Sequence, residues 1–149
     1  MMRFRAAQKT LLGGLILLVV AGCQTTTSES PEVAAARAPF RTEMPDNLYN
    51  VAFANAMAEQ ISIGCPSLSM NRPQIASSMK AVADDLEAKG YQESDFKYLE
   101  QNLPRKRIQD DAIRYIQSNG IVIGVPETMC SAGRREIAKG SAIGTFLKG

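Results

Sequence analysis

The chain of 149 residues contains no histidine and no tryptophan. Without histidine it cannot build a Ser-His-Asp or Cys-His site, and it lacks both the usual general base near neutral pH and the commonest metal ligand. Common hydrolase mechanisms are disfavoured, and neither a metal nor a cofactor is expected. The five Phe and four Tyr are scattered, which gives little support to an aromatic platform for carbohydrate or base stacking. A long apolar run is also missing. A spanning helix needs about 20 apolar residues, whereas Leu11 to Gly22 is shorter and is followed at once by polar Gln24-Thr25-Thr26-Thr27-Ser28. No internal repeat is visible. Carboxylate or lysine catalysis is compatible with this composition, but no motif points to it.

What is present begins at the N-terminus. Arg3, Arg5 and Lys9 precede the apolar run Leu15 to Val19, and Val20-Ala21-Gly22-Cys23 follows directly. Basic start, apolar stretch and small-residue cleavage site make a secretory signal, and a Cys in the first mature position makes it a bacterial lipoprotein signal. Residues 1–22 are thus read as signal peptide and Cys23 as the acylated residue, anchoring the mature chain to the periplasmic face of a membrane. Each buried methylene contributes about 0.8 kcal/mol, so several chains hold firmly. Gln24 after the Cys, in place of Asp, resembles the pattern sent to the outer membrane. Three of the 17 basic residues lie in the signal, leaving 14 against 15 acidic ones. The mature chain is close to neutral, without the clustered basic excess that nucleic-acid binding needs.

With Cys23 assigned to lipid, Cys65 and Cys130 are left as an even pair in an oxidising compartment, where disulfides persist. A bond between them is expected, and the chain-entropy model assigns a cross-link of this span about 4 kcal/mol. The alternatives are two buried free thiols or a redox or metal site; the two Cys form no close C-x-x-C pair and fall short of four zinc ligands.

Residues 24–45 are rich in Thr, Ser, Ala, Glu and Pro, carry no sustained apolar periodicity, and read with Cys23 as a flexible tether. Residues 46–149 are near the common size of a single domain, and their periodicity is helical throughout. Asp46 is read as the cap of a helix with Val51, Phe53, Ala54, Met57, Ala58 and Ile61 on a wide apolar face, ended by Gly64. Asn71 and Pro73 open a second, with Ile75, Met79, Val82 and Leu86 inward and Gly90 as stop. A third starts near Ser94 and carries Phe96, Leu99 and Leu103 to Pro104. A fourth follows, with Ile108, Ala112, Tyr115 and Ile116 as its buried stripe and Asn119-Gly120 as its end. Ile121 to Val125 reads as an extended apolar connector packed on the bundle. Pro126 and Glu127 begin the last helical region, in which Cys130, Ile137, Ile143, Phe146 and Leu147 are candidates for burial. Gly140-Ser141 breaks it, and Ser141 is placed to cap a final turn. Gly140 and Gly144, four apart, allow close backbone approach. The fold class expected is all-α, a compact bundle of about five short helices stapled by one disulfide.

Cys65-Pro66-Ser67-Leu68-Ser69, Lys89-Gly90-Tyr91, Asn119-Gly120-Ile121-Val122 and Cys130 to Ser141 followed by Ile143-Gly144 resemble a small secreted alphaproteobacterial family, the domain of unknown function five-three-three-three. The resemblance covers about Val51 to Lys148 and rests on the order and spacing of the two Cys blocks. It implies an exported helical protein with this Cys pair and supplies no reaction. The N-terminus departs from the family, with a lipobox and tether in place of an ordinary signal.

Two charged clusters are candidate partner or anion contacts. Arg134, Arg135 and Lys139, beside Glu136 and Ser141, could engage carboxylate or phosphate; alternatively Glu136 pairs with its neighbours or Arg72 and the rest is solvated surface. Arg105, Lys106 and Arg107 stand at a helix start, where cations oppose the macrodipole and an anion or acidic headgroup could compensate; alternatively Asp110 and Asp111 balance them. The function expected is that of a non-enzymatic, lipid-anchored periplasmic module with a structural or partner-binding role at the envelope. The alternative is a binder of a small apolar ligand or lipid in a cavity between helices.

Overall fold

The computed structural model describes residues 29–149. The signal peptide, Cys23 and its acylation, and residues 24–28 of the tether lie outside the described residues. The chain order is α1 (Pro31–Arg37), a 3-10 turn (Ala38–Phe40), α2 (Asp46–Gly64), β1 (Ser69–Met70), α3 (Arg72–Ala88), α4 (Glu93–Gln101), α5 (Arg105–Ser118), α6 (Pro126–Lys139), α7 (Ala142–Thr145) and β2 (Leu147–Lys148). The fold is all-α, with five main helices where periodicity places them. Among the described residues no helix is long and apolar enough to cross a membrane.

Part of the segment read as tether is ordered structure. Ser30 caps α1 by accepting the Val33 N–H on its Oγ, and Pro31 supplies the fixed φ that suits a first helical position. No residue of α1 is buried. Only Arg37 at its end and Arg41 just beyond the 3-10 turn show why it docks, and they find their acid on α4, far along the sequence.

Helix α2 is the axis of the domain. Ala54, Met57, Ala58 and Ile61 are buried along one face, with Tyr49 to the side of it, as their three-four-three spacing predicts. It packs against α3, α6 and α7. The core is Ala54, Met57, Ala58, Ile61, Cys65 and Leu68 closed by Ile143, Phe146 and Leu147 from the chain end. Small residues set the spacing. A Cβ on Gly133 of α6 would overlap Leu68 and stand 2.7 Å from Ile61 Cγ2, so only glycine lets α6 approach α2 this closely.

The C-terminus returns to the end of α2 through a two-residue antiparallel bridge, Ser69 opposite Lys148 and Met70 opposite Leu147. Asn71 secures it, donating its backbone N–H to Phe146 O at 2.7 Å and its Nδ2 to Thr145 O at 3.1 Å. This explains why Asn71 does not cap α3 with its side chain. The disulfide joins Cys65, directly after α2, to Cys130 of α6, Cα atoms 4.9 Å apart.

Helix ends follow local chemistry, with some shifts from expectation. Asp46 lies in the first turn of α2, and Pro45 precedes it without a side-chain cap. Helix α4 begins one residue before Ser94, held by a capping box of Gln92 and Asp95. Gly140 ends α6 in the left-handed region at φ 62°, and Ser141 caps α7 by accepting the Gly144 N–H. Of the glycine pair, only Gly144 serves close approach: a Cβ there would collide with the Glu136 carbonyl, whereas Gly140 has open space around it.

Ile121 to Val125 does not pack on the bundle as a whole. Ile121 is buried, but Val122 and Ile123 are 54% and 70% exposed. Thr128 Oγ1 accepts the Val122 N–H at 3.0 Å and donates toward the Val125 carbonyl at 2.8 Å. With Gly124 at φ 83°, the segment folds into a turn that presents its aliphatic side chains outward.

Candidate functional site

Three surfaces carry the chemistry of the described residues. The most spacious is a trough of about 770 Å3 between the start of α2, the outer face of α3 and α4. Its wall is mostly apolar: Met44, Leu48 and Ala52; Met79 and Ala83; Phe96, Leu99 and Leu103. Met79 and Leu103 are 38% and 39% exposed, which corrects their assignment to the core. Met79 lies on α3 and Leu103 in the turn that follows α4, and nothing among the described residues covers either. Lys80, Lys97, Glu93 and Glu100 line its edge with both signs of charge, and Lys80 already pairs with Asp84 at 2.6 Å. The trough is open to solvent.

The second surface fixes α5. None of its residues is fully buried, so its predicted stripe of Ile108, Ala112, Tyr115 and Ile116 is only half-covered. Polar contacts do the rest. Tyr49 donates its hydroxyl to Asp111 Oδ2 at 2.7 Å, and the Arg107 guanidinium stacks 3.7 Å above the Tyr49 ring. Burial, then the Asp111 carboxylate, pushes the Tyr49 hydroxyl up to about 12. Arg107 also meets Asp46 at 3.0 Å and Asp111 at 3.9 Å, while Lys106 pairs with Asp110 at 2.6 Å. Lys106 and Arg107 are therefore balanced by Asp46, Asp110 and Asp111, whereas Arg105 is exposed and forms no ion pair among the described residues. Beside it lies a polar hollow of about 500 Å3, lined among others by Glu43, Tyr91, Asn102 and Arg107.

The third surface centres on Asp95, whose side chain is 0% exposed. Burial pushes its carboxyl up, but hydrogen bonds from Arg37, the Gln92 N–H and Arg41 outweigh this and hold it at about 2. The Gln92 N–H donates at 2.8 Å and Arg41 Nε at 2.8 Å, and Arg37 approaches with both Nε and Nη2. Sequence reading missed this site. The signal available was Asp95 at the third position of an apolar-faced helix, where a capping role gives no hint of distant arginines.

Arg134, Arg135 and Lys139 lie on the exposed face of α6 and do not converge. Arg135 donates to Ser131 Oγ and to the Asn119 carbonyl, each at 2.7 Å, closing the end of α5 onto α6. Glu136 does not pair with them or with Arg72. It turns inward, is 6% exposed and accepts the Ser141 hydroxyl. The Tyr115 hydroxyl is buried near it without a hydrogen bond of good geometry; burial first, then the Glu136 charge, raises its pKa. Ser67 Oγ stands 3.2 Å from Cys65 Sγ at the disulfide. Among the described residues no group of three or more His, Cys, Asp or Glu is placed to hold a metal ion.

The model of a family of unknown function (DUF5333) matches residues 42–148. Neither a curated protein nor a solved structure matches the chain.

Proposed function

The chain belongs to that family of unknown function, and from this premise we propose that it is a lipid-anchored, non-catalytic module of the bacterial envelope that binds a partner protein in the trough between α2, α3 and α4. The observation that carries the reading is the trough itself, an apolar wall with a mixed-charge edge. Such a surface suits the apolar face of an amphipathic helix, with charges of either sign at its margins. Its openness favours a helix over a carried small molecule, because small-ligand sites bury about 70 to 90% or more of their ligand. The non-catalytic part is supported by the sequence, which has no histidine to serve as a general base and no catalytic motif. The anchor rests on the lipobox at Cys23, and the periplasmic face, with the outer membrane favoured by Gln24, follows from it.

Photo-crosslinkers placed at Met79 and Leu103 in cells test the reading. Both positions are expected to capture the same polypeptide, while Ile113, an exposed apolar residue of α5, does not. Ala83→Asp, on the wall, is expected to abolish capture with the fold intact. Capture of lipid alone at 79 and 103, or equal capture at all three positions, contradicts it.

A further inference from the structure

The N-terminal arm, residues 29–41, reaches α4 through two arginines. Arg37 donates from Nε (3.2 Å) and Nη2 to the Asp95 carboxylate and from Nη2 to the Gly90 carbonyl at 2.8 Å. Arg41 donates from Nε to Asp95 and from Nη2 to Ser94 Oγ at 3.0 Å, with the Tyr98 ring 5.6 Å from its guanidinium carbon, and its Nη1 and Nη2 also pair with Glu29 of the arm itself at 2.5 and 2.9 Å. Apart from Glu29, the carboxylate, carbonyl, hydroxyl and ring face come from α4 and its entry. Together they match the planar fork of a guanidinium and not the point charge of a lysine.

We propose that Asp95 and its surroundings form an exchangeable receptor for two arginines four residues apart, loaded in cis by Arg37 and Arg41 and taken in trans by an arginine-bearing segment of a partner protein. The receptor is independent of what fills the trough.

Four observations support exchange over a permanent tie. No side chain of α1 or the 3-10 turn is fully buried, so the arm is held by the arginines and by the edge of Phe40 against Tyr91. Residues 42–45, which join the arm to α2, contain no helix or strand, so the arm can leave without moving α2. An emptied site is disfavoured, because the carboxylate would keep only the Gln92 N–H of its donors and a buried charge stripped of its partners is costly. A second pair of arginines removes that cost. Finally, the family span begins at Thr42, so the receptor lies inside it and the arm outside. Acid does not empty the site near neutral pH, since the carboxylate is held far below that range and arginine does not titrate there.

The test uses the full chain and a synthetic peptide of residues 29–41. The variant Arg37→Ala/Arg41→Ala is expected to bind the peptide about tenfold or more tighter than wild type, in which the tethered arm competes at high effective concentration. The same peptide with both arginines changed to lysine or to alanine is expected to bind far more weakly. A double variant with wild-type helical circular dichroism that binds the peptide no better than wild type overturns the proposal, as does equal binding of the lysine peptide. Should the double variant not fold, Asp95→Asn decides. Tryptic cleavage after Arg37 and Arg41 is expected to accelerate about tenfold relative to cleavage elsewhere in the same chain, and unchanged protection of both arginines overturns the proposal.

Discussion

Gly144 shows how much a single residue carries here. Its missing side chain is what allows α7 to press against the last turn of α6, where a Cβ would occupy the place of the Glu136 carbonyl. Backbone cannot yield as a flexible side chain does, and overpacking costs about 1 to 3 kcal/mol, occasionally more. Gly144→Ala is expected to lower the free energy of unfolding by about 3 kcal/mol in urea titration. Gly140→Ala, strained only by its positive φ, is expected to lose about 1 to 2 kcal/mol. Equal losses would contradict the packing account. The two tyrosines with raised hydroxyls behave differently. Tyr115→Phe is expected to leave stability unchanged or slightly higher, since it removes a buried hydroxyl without a well-formed hydrogen bond, whereas Tyr49→Phe removes the bond to Asp111 and is expected to cost about 1.5 to 3 kcal/mol. Asp95 gives a pH signature of definite sign. Its folded pKa, about 2, lies below its ordinary value of 3.8, so its contribution is complete above about pH 4 and is lost as pH falls toward 2. The stability gap between wild type and Asp95→Asn should therefore close over that interval, and a gap constant from pH 6 to pH 2 would refute it.

At the scale of elements, the helices and the disulfide were legible in the sequence because their signals are local: apolar spacing, Pro at helix starts, Gly after helix ends, and an even pair of cysteines. The arm was not. Residues 31–40 bury no side chain, so no apolar stripe announces them, and their hold comes from a carboxylate more than 50 residues away. Residues 121–125 misled for the opposite reason. Their apolar character reads as burial, but Thr128 and Gly124 close them into a turn that exposes three of the four aliphatic side chains. The candidate site was least legible, since the trough is formed jointly by α2, α3 and α4 and no single helix records that. The staple between α2 and α6 offers a measurement at this scale. Reduction, or Cys65→Ser with Cys130→Ser, is expected to lower unfolding free energy by about 4 kcal/mol, with helix content retained at low urea. Unchanged stability would mean that the core of α2 and α6 fixes the pair unaided.

The described residues join a tightly packed half, α2 with α3, α6, α7 and the C-terminal bridge, to a second half in which charged and aromatic contacts supplement the burial of Leu99 and the packing of Ala112 and Tyr115 in fixing α4 and α5. Both the trough and the arginine receptor involve α4, at the seam between the halves. A partner-binding role asks for such an arrangement, with a rigid base and an adaptable edge. Native mass spectrometry of the protein extracted in mild detergent from its own membranes tests the central claim most directly. The account predicts a chain beginning at Cys23, acylated, lighter by two hydrogens for the Cys65–Cys130 bond, and carrying a reproducible second polypeptide that Ala83→Asp removes. A chain without acylation at Cys23, or one carrying a small apolar molecule and no polypeptide, would contradict it.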